Sequence, residues 1–123
     1  RTTSNAKNTA IFGSSLGGLI SFYAVIKHPN VFGKAGVFSP SFWFSDEVYS
    51  LMEKSETSKA KIFFLCGDKE NETMFSDLKK MQTLLDRNRC YCLKLNKTVI
   101  VKDGEHNENL WKENFEQAVK WLF

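Results

Sequence analysis

The sequence predicts an α/β fold: a mostly parallel four-stranded sheet with flanking helices. Two observations carry that expectation. Short apolar runs stopped by turn residues alternate along the chain with stripes at helical spacing, and each strand–helix repeat has the length of a right-handed crossover unit. The chain of 123 residues is also the size of one ordinary domain and long enough to bury a core.

Thr9-Ala10-Ile11-Phe12, stopped by Gly13, reads as a buried strand. From Leu16 the apolar positions fall at Leu16, Leu19, Ile20, Tyr23 and Ile26, a helical stripe closed by His28-Pro29-Asn30. Ala35 to Phe38 is the second strand, ending at Ser39-Pro40. A helix is expected from Ser45, whose hydroxyl can cap while Asp46 and Glu47 suit the positive end of the dipole. Lys61 to Cys66 is nearly all apolar, as for a strand buried on both faces. The next helix carries Met74, Leu78, Met81 and Leu85 on one side, and Leu93 to Val101 supplies a fourth strand. A last helix is expected to bury Trp111, Phe115, Ala118, Val119 and Leu122.

Composition narrows the function classes. Hydrophobic residues at 42%, charged residues at 25% and eleven phenylalanines describe a globular chain with a filled core. The net charge of +3 is small, and pairs such as Lys79-Lys80 read as solvated helix faces, so nucleic acid is not an expected partner. No apolar run approaches the ~20 residues of a membrane span. The chain opens on Arg1 without a signal-peptide pattern, so the sequence assigns no compartment. Of three cysteines, Cys90 and Cys92 lie two apart on an expected strand and read as small hydrophobes, and Cys66 ends another strand. His28 and His106 stand apart without ligand spacing around them, so no metal is expected.

Chemistry enters at Gly13-Ser14-Ser15-Leu16-Gly17. This G-x-S-x-G pattern lies between a strand and a helix, where a sharp strained turn projects the central hydroxyl above the sheet. Ser15 is therefore the expected nucleophile, and Ser14, which is not central, a turn residue. The Leu16 N–H, at the free start of the helix, is the expected oxyanion donor. A chance match in a chain of this length arises about 4% of the time at average Gly and Ser usage. A dinucleotide loop would need Gly at position 15, and a P-loop would need Gly-Lys-Ser/Thr.

A serine is inert without a base, and the partners follow in the order acid, then histidine. His106, in a loop after the fourth strand, is placed to return over the strand ends. His28 sits at the far end of the first helix, about 18 Å away at 1.5 Å rise per residue, and reads as surface. The acid is expected from Gly67-Asp68-Lys69-Glu70-Asn71-Glu72, with Glu70 preferred, Asp68 second and Glu72 an exposed helix-start charge. Asp103 reads as a turn former before Gly104.

With these residues placed, the chain resembles the putative-esterase (esterase D) family of α/β-hydrolases, most of all its enterochelin-esterase-like members. The resemblance rests on Phe12 to Leu19, His28 to Gly33, Val37-Phe38-Ser39-Pro40-Ser41-Phe42-Trp43, Gly67 to Glu70, and Gly104-Glu105-His106-Asn107 followed by Trp111. It implies a cofactor-free Ser-His-acid hydrolase of carboxylic esters that works through an acyl-enzyme, with the acid at Glu70. Ser41, Phe42 and Trp43 would then lie at the mouth of the site as substrate contacts, against the alternative of aromatic packing under a loop. The resemblance spans substrates as different as siderophore lactones, acylated carbohydrate, feruloyl esters and small thioesters.

One departure matters. In such folds several strands precede the nucleophile, whereas here it is residue 15. The chain is thus expected to be the C-terminal portion of a single α/β-hydrolase domain, a partial fold without the N-terminal strands and the loop giving the second oxyanion N–H. Losing one such donor costs about 3–4 kcal/mol of transition-state stabilisation, so activity alone should be weak. The first strand should expose an unpaired edge, inviting self-association into a homo-oligomer or aggregation. The competing function class is a non-catalytic interaction or structural module on the same scaffold.

Overall fold

A computed structural model describes residues 4–55, 59–87 and 95–123. Four strands, β1 (Ala10–Ser14), β2 (Lys34–Phe38), β3 (Lys61–Gly67) and β4 (Asn96–Val101), pair in sequence order, and every pairing is parallel. Four helices follow them in turn: α1 (Leu16–Lys27), α2 (Glu47–Lys54), α3 (Glu72–Arg87) and α4 (Glu108–Leu122). The strand–helix alternation read from the sequence is therefore the architecture. Among the described residues the fourth strand runs from Asn96 to Val101. Leu93, Cys90 and Cys92 lie outside the described residues. Ser45 stands two residues before α2, and its hydroxyl accepts from the Glu47 N–H at 3.2 Å.

Strand β3 shows why the sheet is central. Its side chains alternate between two cores: Ile62, Phe64 and Cys66 join one, Phe63 and Leu65 the other. The larger core takes α1, α2 and α3 through Phe22, Val25, Met52, Met74, Leu78, Met81 and Leu85. The smaller takes α4 through Leu110, Ala118 and Leu122. Period-two strands thus meet period-3.6 helices on both faces, as a parallel sheet requires.

Two expectations of burial fail. Phe115 is exposed, and in the α1 stripe Leu16, Ile20 and Tyr23 are exposed too, Ile20 at 61%. Helix α1 instead buries the neighbouring face, Gly18, Ser21, Phe22 and Val25. Phe115 packs on Phe12 of β1, which among the described residues has a strand neighbour on one side only, whereas Ile20 and Tyr23 line an open groove with Val48 and Leu51 of α2. Periodicity locates an apolar face; it does not say which elements are present to cover it.

Candidate active site

Because all four strands run the same way, their carboxyl ends share one edge of the sheet, the usual place for a ligand site in such folds. Ser15 follows β1, Ser39 and Ser41 follow β2, Glu70 follows β3 and His106 follows β4. Three of the loops there hold a non-glycine residue at positive φ: Ser15 at 56°, Ser39 at 43° and Asp103 at 58°. Each such residue costs on the order of 1–3 kcal/mol and persists only where surrounding bonds impose it.

At Ser15 those bonds are explicit. Its N–H donates to the Phe38 carbonyl at 2.9 Å, and its own carbonyl accepts from Leu19 at 3.2 Å and from Ser41 at 3.1 Å. Helix α1 then returns so close to β1 that a Cβ on Gly13 would lie 2.2 Å from the Gly17 carbonyl oxygen. A Cβ on Gly17 would meet nothing within 4 Å. The two glycines of the motif are therefore not equivalent: the turn needs the bare Cα of Gly13 and the backbone of Gly17. Leu16 opens α1, so its N–H has no acceptor within the helix.

The loops after β3 and β4 are joined in the same manner. Asp68 donates to the Val101 carbonyl at 3.0 Å and Lys69 to that of Gly104 at 2.9 Å. A Cβ on Gly67 would sit 2.1 Å from the Gly104 oxygen. Asn107 caps α4, accepting from the Leu110 N–H at 3.0 Å, and so stations His106 one residue before a rigid start.

These constraints bring Ser15, His106 and Glu70 into one line. His106 Nε2 lies 3.1 Å from Ser15 Oγ, and His106 Nδ1 lies 2.9 Å from Glu70 Oε2. The Glu70 side chain is 1% exposed, that of His106 40%. Glu70 Oε1 accepts from the Gly67 N–H at 2.8 Å and from the Ser39 hydroxyl at 2.6 Å. Asp68 is exposed, Glu72 is exposed in the first turn of α3, and Asp103 pairs with Lys69 at 2.8 Å on the surface. His28 is an exposed residue at the C-terminus of α1.

The stretch after β2 divides. Ser41 is buried with its hydroxyl 3.2 Å from Ser15 Oγ, and Trp43 is exposed. Phe42, expected as a substrate contact, has no accessible surface and packs 5.3 Å from Phe22 in the larger core. The alternative of packing describes Phe42, because its side chain points into the layer between sheet and helices. A cleft of about 330 Å³ adjoins the site on the β1 side, lined by Phe12, Gly13, Ser14, Phe38, Trp111, Lys112 and Phe115.

Sequence reasoning missed two participants. From sequence, Ser39 ends a strand within a stretch that carries the family resemblance and Trp111 is a core residue; in the structure the Trp111 indole N–H donates to the buried Ser39 Oγ at 3.0 Å. The Trp111 ring also stands edge-on to His106 with centroids 5.1 Å apart. A signal was available: a half-buried indole needs an acceptor for its N–H. Below the site, burial pushes the Cys66 thiol up to about 12, with the Glu70 and Asp68 carboxylates adding to it, so this sulfur is no rival nucleophile. Among the described residues, no three His, Cys, Asp or Glu side chains gather as a metal site would need, and no helix is long and apolar enough to cross a membrane.

Comparison with known proteins gives this geometry a family. The uncharacterized protein YbbA of Bacillus subtilis (strain 168) is 27% identical, matching 98% of this chain and 51% of its own length. The enterobactin esterase of Shigella flexneri, crystallised in the presence of enterobactin, superposes with a TM-score of 0.83 at 23% identity, over 98% of this chain and 31% of that one. An S-formylglutathione hydrolase from Staphylococcus aureus superposes at 0.76 with 18% identity, over 98% and 53%. Such structural likeness speaks for the fold, that of esterases with an α/β-hydrolase sheet. The chain spans about half the length of the curated relative it matches. The model of the putative-esterase family covers residues 1–122, and the chain belongs to that family.

Proposed function

We propose that this chain carries the catalytic residues of a carboxylic-ester hydrolase and is the C-terminal portion of its single domain. The observation that carries the reading is the unbroken line from Ser15 Oγ through His106 to the buried Glu70 carboxylate, at 3.1 and 2.9 Å. The Ser15 oxygen attacks the ester carbonyl carbon while its proton passes to His106 Nε2. Glu70 holds the Nδ1–H tautomer and stabilises the imidazolium, and the Leu16 N–H receives the oxyanion. Collapse breaks the C–O bond, the departing alkoxide takes the proton from His106, and water then releases the acid from Ser15 by the same route reversed.

The substrate is a small-molecule ester, with Ser41 buried beside the nucleophile and the exposed Trp43 at the entrance. The stretch alone should turn over slowly, and its β1 edge should drive self-association; a strict monomer on dilution overturns the latter. The test of activity is labelling by a fluorophosphonate and hydrolysis of p-nitrophenyl acetate by the longer parent protein, beside its Ser15→Ala variant. Loss of labelling in the variant is expected. Equal labelling of both overturns Ser15 as the nucleophile, and none of either leaves the non-catalytic module as the reading.

A further inference from the structure

We infer that Trp111 and Ser39 form a relay that sets the proton positions of the whole site, making both positioning residues for His106. The inference rests on the triad reading above. It follows from which groups can only donate. An indole N–H has no lone pair to offer, so in the 3.0 Å contact Ser39 Oγ must accept. Having accepted, the hydroxyl turns its single proton to Glu70 Oε1 at 2.6 Å, where the Gly67 N–H also donates at 2.8 Å.

Two donors thus occupy Oε1. They fix the carboxylate plane and leave Oε2 for His106 Nδ1, which must then carry the ring proton. Nε2 becomes the acceptor for Ser15 Oγ–H, and Ser15 Oγ can accept in turn from Ser41. Donation thus converges on Glu70 from two sides: indole to Ser39 to Oε1, and Ser15 to His106 to Oε2. The backbone supports it: Ser39 is held at φ 43° with no accessible surface, its N–H bonded to the Leu65 carbonyl at 2.6 Å. A serine whose only task was to end a strand would have no need of that conformation.

Trp111 acts twice, since its ring stands against the imidazole whose carboxylate partner its N–H helps to aim. The sequence brings the two together from positions 72 residues apart, so the relay exists only when α4 is docked on the sheet.

The test reads the imidazole directly and needs no turnover. The chain has two histidines, so ¹⁵N-histidine NMR yields one signal set for His106 and one for the exposed His28 as an internal control. In the native chain His106 should be the Nδ1–H tautomer with a slowly exchanging proton. Trp111→Phe keeps the ring and removes the donor; Ser39→Gly removes the hydroxyl at a positive φ that glycine accepts. Each should mix the tautomers and speed Nδ1–H exchange by about tenfold, the worth of one lost hydrogen bond. The double variant should do no more than Ser39→Gly alone. Glu70→Gln separates the two levels of argument. If it leaves the His106 tautomer unchanged, the triad reading itself fails. If it alters the tautomer but Trp111→Phe and Ser39→Gly do not, the relay fails and the triad stands.

Discussion

The two ends of the sheet are built on opposite terms. At the carboxyl ends stand three residues at positive φ, a buried carboxylate with three donors and an imidazole spanning to a hydroxyl. At the amino ends, Lys34 and Lys61 open β2 and β3 in relaxed backbone. Lys34 Nζ lies 3.5 Å over the Phe123 ring, and Lys61 lies over Trp121 while donating to that residue's carbonyl. Burial and the neighbouring Lys61 and Lys7 charges lower the Lys34 pKa. One end spends backbone strain on holding polar groups in a single geometry. The other sets its lysines over aromatic faces and, at Lys61, on a helix-end carbonyl. The difference teaches that strained, fully paired polar geometry is local to one edge of this sheet, although both edges have the same strands.

Substitutions can break that contrast or sharpen it. The largest effect belongs to the carboxyl end: under the proposed esterase mechanism, Glu70→Gln should lower kcat by about 10⁴-fold with an unchanged fold, because the wrong imidazole tautomer is then favoured. Lys61→Ala, at the other end, should change esterase rates less than about twofold. Comparable losses from both, measured side by side on p-nitrophenyl acetate, would erase the distinction.

A second comparison lies within the elbow motif. Gly13→Ala should destabilise by about 3 kcal/mol, since its Cβ meets backbone that cannot yield cheaply. Gly17→Ala, with open space, should stay within about 1 kcal/mol of the native chain or gain slightly from helix propensity. Denaturant melts of the two variants decide it; equal losses would mean that the turn is not closed by the Gly13 approach.

Cys66 probes the core beneath the site. Its thiol, pushed to about 12 by burial, should resist iodoacetamide at pH 8.5 in the native chain and react on unfolding, read by peptide mass mapping. Rapid native alkylation would mean that the carboxyl end of β3 opens readily. A small effect is expected at the amino end: Lys61→Met should cost about 1 kcal/mol of stability through the lost cation–π contact and hydrogen bond.

The sequence by itself determined the order of elements, because period-two and period-3.6 apolar patterns and their punctuation are local properties of the chain. It also determined the candidates Ser15, Glu70 and His106, since a strand–Gly-x-Ser-x-Gly–helix turn and the loops after later strands can be counted along a line. Tertiary structure alone decided the rest. It set the Glu70 carboxylate, preferred already from the sequence, against His106 and left Asp68 exposed, because contact depends on which carboxylate faces the loop zipped to Gly104. It sent Phe42 into the core and left Phe115 and Ile20 uncovered, because burial depends on neighbours that a periodic pattern does not name. It joined Trp111 to Ser39 across 72 residues. Direction of donation, register and covering layers are properties of pairs, and pairs exist only once the chain has closed on itself.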